Sequence, residues 1–206
     1  MNIHNLIISI IDFVRKDLCE TIMINSQQML EDRKNIYLIG MMGSGKSTVG
    51  KMVASKTNMH FLDSDKIIEE NAGKSVNEIF SNYGENKFRG LERDFIRNGH
   101  PKNNCIVSCG GGLCMIDGIM NSMKSMGLVV CLWAEPETIY NRIKDDKKRP
   151  LLQVQDPLNK IVTIINSRRN TYLMADYVIR TDDLKTDGVA QEIIVANNKL
   201  NQSRKN

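Results

Sequence analysis

The sequence predicts a three-layer α/β fold, a five-stranded parallel sheet flanked by helices, and three observations predict it. Short β-branched runs alternate with amphipathic stretches from residue 35 onward, the pattern of strands joined by crossover helices. The first run, Ile36-Tyr37-Leu38-Ile39, leads directly into Gly40-Met41-Met42-Gly43-Ser44-Gly45-Lys46-Ser47-Thr48, a G-x-x-x-x-G-K-S sequence. A later run, Cys105-Ile106-Val107-Ser108-Cys109, ends in Gly110-Gly111-Gly112. With 206 residues the chain has room for one well-buried domain and not for two full ones.

Strands are expected at 35–39, 59–62, 105–109, 128–132 and 177–180, with helices near 46–57, 75–98, 116–125, 135–147 and 157–174. Ser75-Val76-Asn77-Glu78 has the S-x-x-E form of a capping box and marks a helix start. Residues 1–34 precede the first strand. Ile7, Ile8, Ile11 and Val14 repeat there at helical spacing, which predicts an N-terminal helical extension. That extension is expected to pack on the domain or hang loosely, with self-association as the alternative; the protein is otherwise read as a monomer. The domain itself is expected over 35–196, followed by a polar tail, 197–206, that frays.

Composition narrows the function. A net charge of +4, aromatics at only 5% and the lack of a Lys/Arg-rich block argue against a nucleic-acid partner. No run of 18 apolar residues calls for a membrane span, and Asp12 interrupts Leu6–Ile11 without a preceding basic region, so a secretory signal is not expected. Cys19, Cys105, Cys109, Cys114 and Cys131 form no C-x-x-C pair, and His4, His60 and His100 are scattered. Free thiols in a reducing cytoplasm are the expectation.

The loop at 40–48 carries the first chemistry. Its glycines let backbone N–H groups turn inward around phosphate oxygens, and the following helix presents its positive end to the same anion. Gly43, Ser44, Gly45, Lys46, Ser47 and Thr48 are therefore expected to hold ATP or GTP. Lys46 would reach the β- and γ-phosphates, and the Ser47 hydroxyl would take a place on Mg²⁺.

Asp63-Ser64-Asp65 follows the second strand, and in a parallel sheet both carboxylates face the crevice at the strands' carboxyl ends. One can approach a metal's water shell while the other reaches an acceptor hydroxyl; a helix N-cap is the plainer use of such residues. Arg89 and Glu92 are three apart on one helix face. They form a surface pair, or Glu92 steadies a guanidinium that grips a substrate carboxylate. Gly110-Gly111-Gly112 at a strand end suits close approach of a ligand. Arg149, before Pro150, stands either at a favourable helix C-terminus or on a lid that closes over transferring phosphate.

In this order, the phosphate loop, D-S-D, G-E-x-x-F-R-x-x-E, the triple glycine, Arg149-Pro150-Leu151-Leu152 and Arg168-x-x-x-Tyr172 resemble the shikimate kinase family over about residues 35–190. The resemblance implies a P-loop kinase domain with a substrate-binding helical insert about 64–97 and a lid about 144–155. It implies Mg²⁺- and ATP-dependent phosphorylation of the shikimate 3-hydroxyl in the cytoplasm. Asp63 would lie near the metal with Ser47. Asp65 would bind the hydroxyls and accept the proton. Arg89, Gly111, Gly112 and Arg168 would bind shikimate, with the spacing to Tyr172 choosing Arg168 over the adjacent Arg169. Arg149 would be the lid arginine, and Arg142 would stack on adenine. Two alternatives keep the phosphate loop: another small-molecule kinase such as a gluconate kinase, and a non-catalytic ligand-binding regulator.

Overall fold

The computed structural model describes residues 34–146 and 154–203. The helix pattern at 7–14 and the lid arginine Arg149 lie outside the described residues. Lys34 onward forms a compact unit built on one sheet. Its strands are β1 (Asn35–Ile39), β2 (His60–Asp63), β3 (Cys105–Ser108), β4 (Gly127–Trp133) and β5 (Tyr177–Arg180), all parallel in the order β2-β3-β1-β4-β5. Strand existence and placement follow the sequence pattern to within a residue or so.

The described helices are α1 (Lys46–Thr57), α2 (Ser64–Ala72), α3 (Val76–Asn98), α4 (Ile119–Met126), α5 (Pro136–Ile143), α6 (Pro157–Tyr172) and α7 (Thr186–Ser203). The capping box forms as expected: the Ser75 hydroxyl accepts from the Glu78 N–H, and the Glu78 carboxylate accepts from the Ser75 N–H. Three features depart from the pattern. Helix α3 is broken at Gly84, whose φ of 77° and ψ of 172° separate two helical segments. Helix α2 falls in the stretch 64–97 that the resemblance gives to a helical insert but was not marked by periodicity, and it starts directly on the D-S-D sequence with Asp63 as N-cap. The stretch from 197 does not fray at once; α7 carries it to Ser203 because Val189, Ala190, Ile193 and Ala196 form an apolar stripe buried against the sheet.

Central strands buried on both faces read as continuous apolar runs, and β1 and β4 do so. Alternate residues feed two cores. Tyr37, Ile39, Val107 and Val129 pack with Phe88, Phe95, Met123 and Tyr172 from α3, α4 and α6. Ile36, Leu38, Ile106 and Val130 pack with Val49 and Val53 of α1 and Ile193 of α7. A smaller cluster of Met41, Ile139, Ile143, Ile161 and Ile165 props α5 and α6 beside the loop that follows β1. Because β1 lies between β3 and β4, the loops leaving β1 and β3 emerge side by side at the sheet's carboxyl end, where ligands bind in such folds.

The opposite end of the sheet is fastened by one polar side chain. Asn35 is fully buried; its Oδ1 accepts from the Cys105 N–H at 2.9 Å, and its Nδ2 donates to the Pro101 carbonyl at 2.8 Å. Asn35→Ala leaves the Cys105 N–H unpaired in the interior, while the Pro101 carbonyl keeps His100 Nδ1 at 2.7 Å. It should lower unfolding free energy by about 2 kcal/mol, read as a lower urea midpoint at unchanged slope.

Candidate active site

The loop after β1 folds tightly around its own glycines. Gly43 and Gly45 have φ of 80° and 96°, in the left-handed region, and a Cβ on Gly43 would meet Ile143 Cγ2 at 2.8 Å. Gly45 caps α1 without any side-chain acceptor, so the helix's first N–H groups point into the loop and not at a capping oxygen. Lys46 turns back over this loop and donates to the carbonyls of Gly40 at 2.9 Å and Met41 at 3.0 Å. Desolvation holds its ammonium below the ordinary lysine value, and the Asp65 and Asp63 carboxylates work against that shift.

The expected metal-side residues meet. Ser47 Oγ donates to Asp63 Oδ2 at 3.0 Å and lies 3.2 Å from Ser108 Oγ. Three oxygen-bearing side chains at one point make a hard donor set of the kind Mg²⁺ takes, with water completing its shell. Ser108 was missed in the sequence. It is the one polar side chain in β3 and pairs in register with Leu38, the penultimate residue of β1, and that position was the available signal.

Asp65 stands one helical residue past Ser64, under the triple glycine. Burial raises its carboxyl above the usual range, the like charge of Asp63 adds to this, and Lys46 opposes it. A Cβ on Gly110 would lie 2.4 Å from Asp65 Oδ1 and 3.0 Å from Glu92 Oε1, so a bare backbone is required there. The Gly110 N–H donates to Ser64 Oγ at 2.8 Å, which fixes the loop on α2. Glu92 is 1% exposed; its Oε2 accepts from Arg89 Nη1 at 2.6 Å, while its Oε1 has no hydrogen-bond partner among the described residues. Burial raises the Glu92 carboxyl, and the Arg89 cation opposes that rise. Arg89 and Glu92 are thus a cleft pair, not a surface pair. Gly112 completes the arrangement: a Cβ there would lie 2.7 Å from both Nη1 and Nη2 of Arg89.

Arg168 and Arg169 go to different places. Arg168 Nη1 donates to the Gly111 carbonyl at 2.8 Å, joined there by the Tyr172 hydroxyl at 3.2 Å. Arg169 lies over the Trp133 ring, 5.5 Å from its centroid. Arg142 sits across the phosphate loop, where its Nη1 donates to Thr181 Oγ1 at 2.9 Å and reaches the Gly43 carbonyl at 3.4 Å.

A cleft of about 630 Å³ joins the phosphate loop to Asp63, Asp65 and the glycine strip, with Arg89, Glu92 and Arg168 outside its lining. It begins between Arg142 and Leu184, passes the loop residues Gly43 to Thr48, and ends on Asp63, Asp65, Ser108, Gly110 and Gly111. Thr181, Leu184 and Thr186 at its open end were also missed; they lie after β5 in a stretch with no recognisable motif. The cleft has two chemically distinct ends: loop amides and Lys46 at one, the Asp63 and Asp65 carboxylates and bare glycine backbone at the other, where Arg168 holds the Gly111 carbonyl and Arg89 lies against Gly112. Cys105, Cys109, Cys114 and Cys131 are free and buried, and Cys109 lines the cleft. Burial pushes the thiols of Cys114 and Cys131 up to about 11 and about 12, which keeps them unreactive.

Comparison with known proteins identifies the family. The family model described as shikimate kinase matches residues 42–197. A shikimate kinase of Thermodesulfovibrio yellowstonii is 39% identical over 171 residues, 83% of this chain and 99% of that protein. One from a Sulfurihydrogenibium species is 44% identical, over 78% of this chain and 96% of that protein. Among solved structures, shikimate kinase from Acinetobacter baumannii in complex with shikimate superposes with a TM-score of 0.76 at 35% identity, covering 84% of this chain and 98% of that one.

The two ends of the cleft separate experimentally. Lys46→Ala should weaken binding of a fluorescent ATP analogue roughly tenfold, the loss of a charge-assisted contact. Gly112→Ala should leave that binding within about twofold, because the clash falls on Arg89 alone. Equal losses in an equilibrium titration would contradict the division.

Proposed function

The chain belongs to the shikimate kinase family, and we propose that it transfers the γ-phosphoryl group of ATP to the 3-hydroxyl of shikimate, giving shikimate 3-phosphate and ADP on the route to chorismate and aromatic amino acids. The observation that carries this reading is the placement of Asp65, Arg89 and Arg168 around one bare loop, Gly110–Gly112, beside the phosphate loop. Gluconate also carries a carboxylate that such arginines could grip; the family, matched over residues 42–197, is what selects shikimate over it. A regulator would have no use for a desolvated carboxylate facing Lys46.

In this reading Gly43, Ser44, Gly45 and Thr48 bind phosphate through the loop and the helix N-terminus, and Lys46 leaves the Gly40 and Met41 carbonyls for phosphate oxygens. Arg142 covers the adenine. Ser47 and Asp63 hold Mg²⁺, with Ser108 orienting the Ser47 hydroxyl; the ion supplies neutralisation of phosphate charge. Arg89 and Arg168 grip the shikimate carboxylate, and the Gly111 and Gly112 backbone lets the ring approach. Asp65 binds the hydroxyls and takes the 3-hydroxyl proton as the bond to phosphorus forms. Arg149 of the lid stabilises charge on the transferring group. Positioning and electrostatics carry the rate, as phosphoryl transfer requires. A cytoplasmic location belongs to the same proposal and is supported by the four buried free thiols.

ADP formation by the full chain with Mg²⁺ and ATP should depend on shikimate and not on gluconate or a nucleoside. Release stimulated by gluconate alone, or by no acceptor, would contradict the assignment. Asp65 adds a test with two readouts. Its carboxyl is raised in the fold, so ionised Asp65 costs stability: the cost is absent below the unfolded value, grows as pH rises through the carboxylate range and is full at neutrality. Asp65→Asn should therefore raise Tm at pH 7 while lowering kcat by roughly a hundredfold or more. A lower Tm would contradict the stability cost of ionised Asp65, and undiminished turnover would remove Asp65 from the role of base.

A further inference from the structure

Arg89 is paired with two carboxylates at once. Glu92 Oε2 accepts from Nη1 at 2.6 Å, and Glu85 Oε1 accepts from both Nε at 3.1 Å and Nη2 at 2.7 Å. The two carboxylates differ in kind. Glu92 is 1% exposed and fixed, whereas the Glu85 side chain is 63% exposed and the Arg89 side chain 24%. A guanidinium has five N–H donors, so at least three are already engaged before any ligand arrives.

Resting on the functional reading above, we propose that Glu85 is an internal stand-in for the acceptor's carboxylate, a specificity gate that must yield Arg89 before shikimate can be gripped. Three features support this. Two donors from one edge of the guanidinium converge on a single Glu85 oxygen, the kind of edge that also takes an incoming carboxylate in parallel bonds. Glu85 directly follows Gly84, where α3 breaks, and a Cβ at Gly84 would meet nothing within 4 Å, so the residue has room to turn away. It also opens the helical segment after that break, where a released carboxylate stays favourable with the helix dipole. Glu92 remains behind to hold Nη1, so the guanidinium keeps its aim at Gly112 while changing partners. A neutral molecule of the same shape would have no charge with which to displace Glu85, and the gate therefore selects for an anionic acceptor.

The test compares the full-length wild type with Glu85→Gln at saturating Mg²⁺ and ATP, measuring kcat and KM for shikimate and the inhibition constant of its methyl ester. The exposed pair is screened, so the expected change is modest: KM about threefold lower in the variant. The variant's kcat should match the wild type's, and the methyl ester's inhibition constant should fall by at least as much as KM, because the contact that excluded it is weakened. An unchanged or higher KM overturns the inference, because Glu85 is then only a support for Arg89. An unchanged inhibition constant for the methyl ester overturns it as well, because Glu85 then acts by charge repulsion and not by occupying Arg89. If the wild type itself fails to phosphorylate shikimate, the functional reading falls and takes the gate with it; a working wild type with an unaltered variant sinks the gate alone.

Discussion

The arrangement depends on a strip of backbone without side chains. At the carboxyl end of β3, Gly110 and Gly112 are overlaid by charged groups so closely that a single methyl would strike Asp65 and Glu92 at one, and Arg89 at the other. Gly111 between them offers its carbonyl to Arg168 and Tyr172. Groups from α2, α3 and α6 thus reach one small volume because β3 ends there bare. The sheet order does the rest, setting this strip against the phosphate loop that leaves the neighbouring β1. Ser108, the last residue of β3, joins the two by touching Ser47.

Burying so many charges together is unfavourable, and the site shows it. Asp65 and Glu92 are raised by desolvation, and Lys46 is lowered by it. Glu92 Oε1 has no hydrogen-bond partner among the described residues. A fold selected only for stability would avoid such groups or fully pair them. Retaining them partly desolvated makes each more responsive to an incoming charge, since low local polarity strengthens every electrostatic contact. The stability for this comes from elsewhere, from two well-filled cores on either face of the sheet and from the Asn35 fastening at its far end.

Much of this was legible in the sequence. The five strands and the phosphate loop could be read because each is a local pattern: continuous apolar runs, glycines at fixed offsets, a capping box at Ser75. Asp65, Arg89, Gly112 and Arg168 were placed by resemblance to a family, and in the structure Asp65, Arg89 and Arg168 lie along the one strip Gly110–Gly112. What stayed hidden was set by tertiary contact. Ser108 matters because of its register opposite Leu38, and Thr181 because a loop after β5 folds back to Arg142. Composition around 197 suggested a fraying tail, yet the apolar stripe of α7 extends the helix. The choice between Arg168 and Arg169 turns on which side of α6 faces Gly111, and the Trp133 ring that receives Arg169 is distant in sequence.

The central claim is that the two ends of the cleft act on one bond, with Asp65 selecting a single hydroxyl of the acceptor. Product regiochemistry tests it most directly. Phosphorylated product made by the full chain from shikimate, Mg²⁺ and ATP should show, by phosphorus–proton coupling in the NMR spectrum, phosphate on the 3-hydroxyl alone. Phosphate spread over several hydroxyls, or inorganic phosphate with unmodified shikimate, would contradict the account.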